Sequence, residues 1–159
     1  MPRFDIQIRS EAGKIRYPLA RLKKSAEKIL RILKLKKGSL SVLLLNDAQI
    51  RRVNKKHLKH DYATDVISFD ETGDIVISLQ TAKRMAKEVE TSFDYEVHLY
   101  LCHGILHLMG YDDHAPKNRA KMWRKQEEIL NLVIARSPKG ATKQSRIKSE
   151  IASPLWGSQ

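Results

Sequence analysis

Apolar and polar residues alternate along FDIQIRS, the period of a half-buried strand, which places a first strand at Phe4–Arg9. After Pro18, a residue tolerated in a first helical turn, Leu19, Leu22, Ala26, Ile29, Leu30 and Leu33 recur at steps of three and four until Gly38. This predicts an amphipathic helix whose outer face is lysine and arginine. SLSVLLLN (39–46) is a short apolar run bounded by turn signals and reads as a buried strand, and Asp47 then caps a helix over Ala48–His57. TDVISFD (64–70) and DIVISL (74–79) are β-branched runs separated by Asp70-Glu71-Thr72-Gly73, as in hairpin-linked strands. Helical spacing returns over 80–90, 94–109 and Pro116–Ile134. The order β-α-β-α-β-β-α-α-α implies an α+β fold: a small mixed four-stranded sheet covered by about five helices.

Length changes this picture little, since 159 residues with 42% apolar content make one domain with its own core. That domain is expected over 1–135, with 136–159, polar and basic, as a flexible tail. Charge changes it more. The net charge is +12, yet residues 1–60 hold 17 Lys and Arg against 4 Asp and Glu, while residues 61–135 hold 8 against 13. A basic first third beside an acidic middle suggests a polyanion-binding surface next to a site of different character, with nucleic acid as the polyanion. The lone Cys102 forms no intramolecular disulfide, the start MPRFDIQIRS lacks a signal's apolar core, and the apolar runs fall short of a membrane span. The expectation is a cytoplasmic protein, monomeric and without a membrane partner.

The chemistry concentrates in HGILHLMGYDDH (103–114), which carries three of the six histidines. On a helix, His103 and His107 stand one turn apart on one face, close enough to share a metal through their imidazoles. Glu96 and Tyr100 fall on the same stripe, and the rest of the circumference is apolar, as in a central buried helix. Cys102 faces away from the stripe and reads as core. Gly110 ends the helix and Tyr111-Asp112-Asp113 turns the chain, so that His114 can return toward the first two. Three protein ligands with a fourth position open mark a catalytic zinc rather than a structural one. Gly104 stands where the HExxH glutamate of a metallopeptidase would act as general base, which weakens a peptidase reading.

HGILHLMGYD, with Asp113 and then His114 after it, closely resembles the signature of the YbeY family of bacterial endoribonucleases. VNKKHLKHDYATDVISF resembles the family's second block, GDIVIS its third, and the helix with Met122 and Trp123 its closing segment, so the likeness runs in order over roughly 40–130. The resemblance implies a zincin-like domain with one zinc per chain and single-strand-specific RNA cleavage. It further implies a place in ribosomal RNA processing and ribosome quality control, with ribosomal RNA and small-subunit precursors as partners. His103 and His107 match the first two ligands directly. The family places its third histidine six residues after the second, where this chain has Asp113, and His114 lies seven after. Either His114 ligates from a turn one residue longer or Asp113 does so through an oxygen; His114 is the expectation, because imidazole suits zinc and a loop absorbs one residue.

A second departure is Leu58, which occupies the place of a family arginine suited to contacting phosphate. Its electrostatic role would pass to neighbours such as His57, and Lys55, Lys56, Lys59 and His60 are the expected RNA contacts. The implied chemistry is hydrolysis by a water on zinc, its pKa lowered from about 15.7 toward about 7, with Asp112 or Asp113 orienting a ligand imidazole if not itself a ligand. Thr64, Asp65 and Ser68 are expected to line or brace the cleft. Two other classes compete: a zincin-type metallopeptidase, and a non-catalytic ribosome-assembly factor with a structural metal, to which Leu58 lends support.

Overall fold

The period-two opening forms strand β1 (Arg3–Ser10), the first of nine elements in the order expected. Helix α1 (Leu19–Ile32), strand β2 (Lys37–Leu45), helix α2 (Asp47–Leu58), strands β3 (Val66–Phe69) and β4 (Asp74–Ser78), and helices α3 (Leu79–Glu88), α4 (Phe93–Leu108) and α5 (Pro116–Val133) follow. The computed structural model describes residues 3–134, so the tail expected at 136–159 lies outside the described residues.

The strands form one sheet in the order β1-β2-β4-β3, with β1, β2 and β4 parallel and β3 antiparallel at the edge. Alternation sorts their side chains to two faces. Leu40, Val42, Leu44, Val66, Ile75 and Ile77 face the larger core with α1, α4 and α5, while Leu45, Ile67 and Val76 face a smaller cluster with Ile50 of α2. Helix α4 is buried around its whole circumference from Tyr95 to Leu106, which is why its apolar positions show no single stripe. Cys102 is buried within it, as the sequence predicts.

Two local details depart from expectation. Asn46, not Asp47, caps α2: its side chain accepts from the Gln49 N–H while the Gln49 side chain accepts from the Asn46 N–H. Asp47 is drawn away by better donors, the hydroxyls of Ser78 and Thr81, each at 2.6 Å, and the Arg84 guanidinium at 2.8 Å. Strand β3 is shorter than the run 64–70, because Asp65 turns its carboxylate onto the Val66 N–H and the Thr64 hydroxyl, a local bond that competes with ladder pairing.

A polar strap fixes α1 beside α4. Arg21 donates to Asp94 at 2.6 Å, and one turn further along both helices the Ser25 hydroxyl lies 2.8 Å from His98 Nε2. The order of these contacts means that α1 and α4 run side by side in the same direction. His98 Nδ1 donates to the Asp94 carbonyl, so Nε2 accepts from Ser25, and burial holds the ring below its ordinary pKa and keeps it neutral.

Candidate metal centre

His103 and His107 occupy the last turns of α4, where the helix leaves the core; His103 is buried and His107 half-buried. Their Nε2 atoms face each other at 3.0 Å. The other ring nitrogens are engaged: His107 Nδ1 lies 3.1 Å from the Tyr111 carbonyl, and His103 Nδ1 lies 2.9 Å from Gln126 Oε1 on α5. A carbonyl only accepts, so each Nδ1 carries the proton and each Nε2 presents a lone pair. Two lone pairs pointed at one another repel unless a cation sits between them.

The loop after α4 adds a third donor. Gly110 takes a positive φ of 95° and the chain turns back over the helix end, placing Asp113 Oδ2 3.8 Å from His103 Nε2 and 3.6 Å from His107 Nε2. Asp113 is 2% exposed, and both of its carboxylate oxygens are buried without a hydrogen-bond partner among the described residues. Burial alone would raise its pKa; positive charge on the facing side, carried by protonated imidazoles of His107, His103 and His114 or by a cation standing between the rings, outweighs it and holds the carboxyl below the ordinary range. A buried carboxylate without a donor costs several kcal/mol unless a cation compensates it.

These residues fit a metal. A tetrahedral ion with ligands at about 2.0–2.2 Å has donor–donor edges of about 3.3–3.6 Å, close to the separations found here, and two imidazoles with one carboxylate are an ordinary zinc donor set. Gln126 and the Tyr111 carbonyl supply the outer hydrogen bonds that fix ligand tautomers.

The three-histidine grouping expected from the sequence is not the one the structure brings together. His114 projects outward with 65% of its side chain exposed, its Nε2 3.7 Å from Asp112, whose carboxylate also accepts the His114 N–H at 2.8 Å. This short Asx turn directs His114 to solvent and Asp113 inward. Glu96 and Tyr100, on the ligand stripe of α4, pair with each other in the core, where Glu96 also accepts from Thr91. Ser68 braces the site by donating to the Gly104 carbonyl at 3.1 Å.

The expected RNA-contacting residues lie elsewhere. Lys55 and Lys56 are exposed at the end of α2, Lys59 follows in a left-handed C-cap, and the His60 ring stacks on Tyr62. Helix α2 packs on the opposite sheet face from α4, and among the described residues no hydrogen bond or ion pair joins these four to the histidines. A groove of about 770 Å³, lined by residues that include His57, Leu58, Phe69, Ile75 and Ser68, lies beside α2 and the edge strand, and His103, His107 and Asp113 are not part of its lining. Leu58 is half-buried there among apolar neighbours and brings no charge to it.

The profile of the family described as Endoribonuclease YbeY matches residues 6–133. The chain belongs to that family. An endoribonuclease YbeY of Syntrophus aciditrophicus is 31% identical over 142 residues, covering 80% of this chain and 89% of the relative. One from Salinibacter ruber is 37% identical over 110 residues, covering 60% and 70% respectively. Among solved structures, the solution structure of TM1509 from Thermotoga maritima superposes with a TM-score of 0.62 at 29% identity, covering 80% of this chain and 88% of that one.

Gln126 is the site residue that motif spacing misses. Its signal is a polar residue at a core position of α5, between Met122 and the pair Ile129 and Leu130. Gln126→Leu keeps the volume and removes the acceptor, so metal affinity should fall about 10–100-fold with the fold intact. Competition with a chromophoric chelator measures this; unchanged affinity would make Gln126 a packing residue only.

Proposed function

We propose that the chain is a zinc-dependent endoribonuclease that cuts single-stranded RNA during ribosomal RNA maturation and ribosome quality control, with one zinc per chain held by His103, His107 and Asp113. The observation that carries the reading is the donor set itself: two imidazole nitrogens and a buried carboxylate without a hydrogen-bond partner among the described residues converge on one point at the end of α4. Membership of the endoribonuclease family and the basic first third support RNA as the substrate. Ribosomal RNA and small-subunit precursors are the proposed partners and the cytoplasm the proposed location; no helix among the described residues is long and apolar enough to cross a membrane.

Bound there, a zinc ion supplies Lewis-acid polarisation of a phosphoryl oxygen and acidifies a water molecule. The remaining work falls to side chains. Asp113 contributes the negative charge that holds a dication, while Gln126 and the Tyr111 carbonyl keep both Nε2 atoms unprotonated. Ser68 tethers edge strand β3 to α4 beside His103, which keeps the groove aligned with the ligands. The exposed Lys55, Lys56 and Lys59 and the half-buried His60 then engage phosphates away from the bond that is cut. With Leu58 carrying no guanidinium, the charge that develops at the cleaved phosphate would be met by the metal. A peptidase is disfavoured because Gly104 offers no carboxylate base.

The test is metal analysis of the purified protein together with cleavage of single-stranded ribosomal RNA fragments with and without chelator. One metal per chain is expected, with cleavage lost on chelation and restored by zinc. Full cleavage by metal-stripped protein sinks the mechanism, and stoichiometric metal with no cleavage leaves a non-catalytic assembly factor.

A further inference from the structure

The outer face of α1 and the loop after it carry cations that no ion pair uses. Lys28 and Arg31 stand on the last turns of α1, Lys34, Lys36 and Lys37 on the turn into β2, and Arg3 opens β1 beside them, paired in register with Lys37. All six are exposed, and none has a carboxylate within 4 Å among the described residues. Several cations elsewhere are neutralised: Arg51 and Lys55 pair with Asp61, Arg84 with Asp47, and Lys125 with Glu128. The arrangement is built. In LKLKK, Leu33 and Leu35 turn inward onto the core while Lys34 and Lys36 turn out. The loop is closed by bonds from the Lys34 N–H to the Arg31 carbonyl and from the Leu35 N–H to the Leu30 carbonyl. Six like charges held together repel one another, and a polyanion relieves that repulsion.

The position matters as much as the charge. Helices α1 and α4 run in the same direction, so the C-terminal end of α1 lies at the same end of the sheet as the histidines of α4. The sheet register agrees: Gly104 lies against Ile75, which pairs with Val42 of β2, and Lys37 and Arg3 lie five residues further toward that end. Strand spacings of about 4.8 Å and a rise of about 3.3 Å per residue put the patch on the order of 15–25 Å from the metal centre.

We infer that Arg3, Lys28, Arg31, Lys34, Lys36 and Lys37 form a second holding site for the phosphate backbone of the RNA being cut, several nucleotides from the cleaved bond. The inference rests on the endoribonuclease reading above. It makes affinity depend on RNA length: a long strand spans both sites and a short oligonucleotide reaches only the metal.

The experiment compares the wild-type protein with the combined variant Lys28→Glu/Arg31→Glu/Lys36→Glu, whose positions are all exposed. Cleavage is measured on a 20-nucleotide and a 6-nucleotide single-stranded RNA, with Lys83→Glu/Lys87→Glu on α3 as a charge control. The variant should raise KM for the long RNA at least tenfold with kcat unchanged, and leave the short substrate and the melting temperature unaltered. Fluorescence anisotropy on the long RNA should show the slope of log affinity against log salt reduced by about 2, because each phosphate of a single strand that a cation neutralises adds about 0.7 to that slope. Equal effects on both lengths, or an equal weakening in the control, overturn the proposal. So does a variant that releases phosphatidylglycerol vesicles while keeping its RNA affinity. Binding that follows the patch without any cleavage in the wild type sinks the enzyme reading alone, and absence of both binding and cleavage sinks the two together.

Discussion

Asp113→Ala should strip the metal and abolish RNA cleavage, while His114→Ala leaves both close to wild type. Asp113 contributes the single anionic donor to a site whose other two donors are neutral imidazoles, and its oxygens have no other partner among the described residues. Its removal should therefore exceed the 10–100-fold loss typical of an outer hydrogen bond. Stability separates this from unfolding. Metal at a thousand times its dissociation constant stabilises a folded protein by about 4 kcal/mol, so the wild type should melt higher with added zinc. The Asp113→Ala variant should lose that zinc-dependent gain, because the anionic donor that holds the dication is gone. Asp113→His, which puts an imidazole where the resemblance places one, should recover metal. Metal content and melting curves with and without zinc decide the matter; if His114→Ala loses the metal and Asp113→Ala keeps it, the assignment falls.

The contrast between those two residues marks where sequence legibility ended. The nine elements were legible because each carries its own period: alternation in FDIQIRS, three- and four-residue steps from Leu19 to Leu33, and the polar turn between β3 and β4. His103 and His107 were legible because a helix fixes the relation of residues four apart. No such rule governs the turn after Gly110. Which of two adjacent residues points inward there is decided by the Asx turn that Asp112 makes with the His114 N–H, a bond whose rivals spacing does not rank. Asn46 and Asp47 repeat the lesson. Either caps a helix by composition, and the choice was made by Ser78, Thr81 and Arg84, about thirty residues away. Gln126 lies 23 residues from His103 and meets it only because α5 folds back along α4.

Substituting Gly104 should damage the fold in proportion to the size and charge of the side chain added. A Cβ there would lie 2.9 Å from Ile75 Cγ2 and 3.0 Å from Ile75 Cδ1, and Ile75 is fully buried in β4. Isoleucine is stiff at χ1, so the contact is relieved only by moving α4 off the sheet. Gly104→Ala therefore sets overpacking of about 1–3 kcal/mol against a gain of about 1 kcal/mol in helix propensity. A net loss of up to about 2 kcal/mol, read as a melting temperature lower by as much as several degrees, is expected. Gly104→Glu, which would recreate HExxH, drives a longer chain and a charge against the fully buried Ile75 of the sheet. Burial of an unpaired charge adds several kcal/mol, comparable with the whole stability of a small domain, so this variant should not fold. The missing glutamate is thus a packing requirement as well as a chemical one: the helix that carries the ligands approaches β4 so closely that only hydrogen fits at position 104. A well-folded Gly104→Glu protein with the wild-type melting temperature would refute this, and would reopen a carboxylate-assisted hydrolase of a different substrate class.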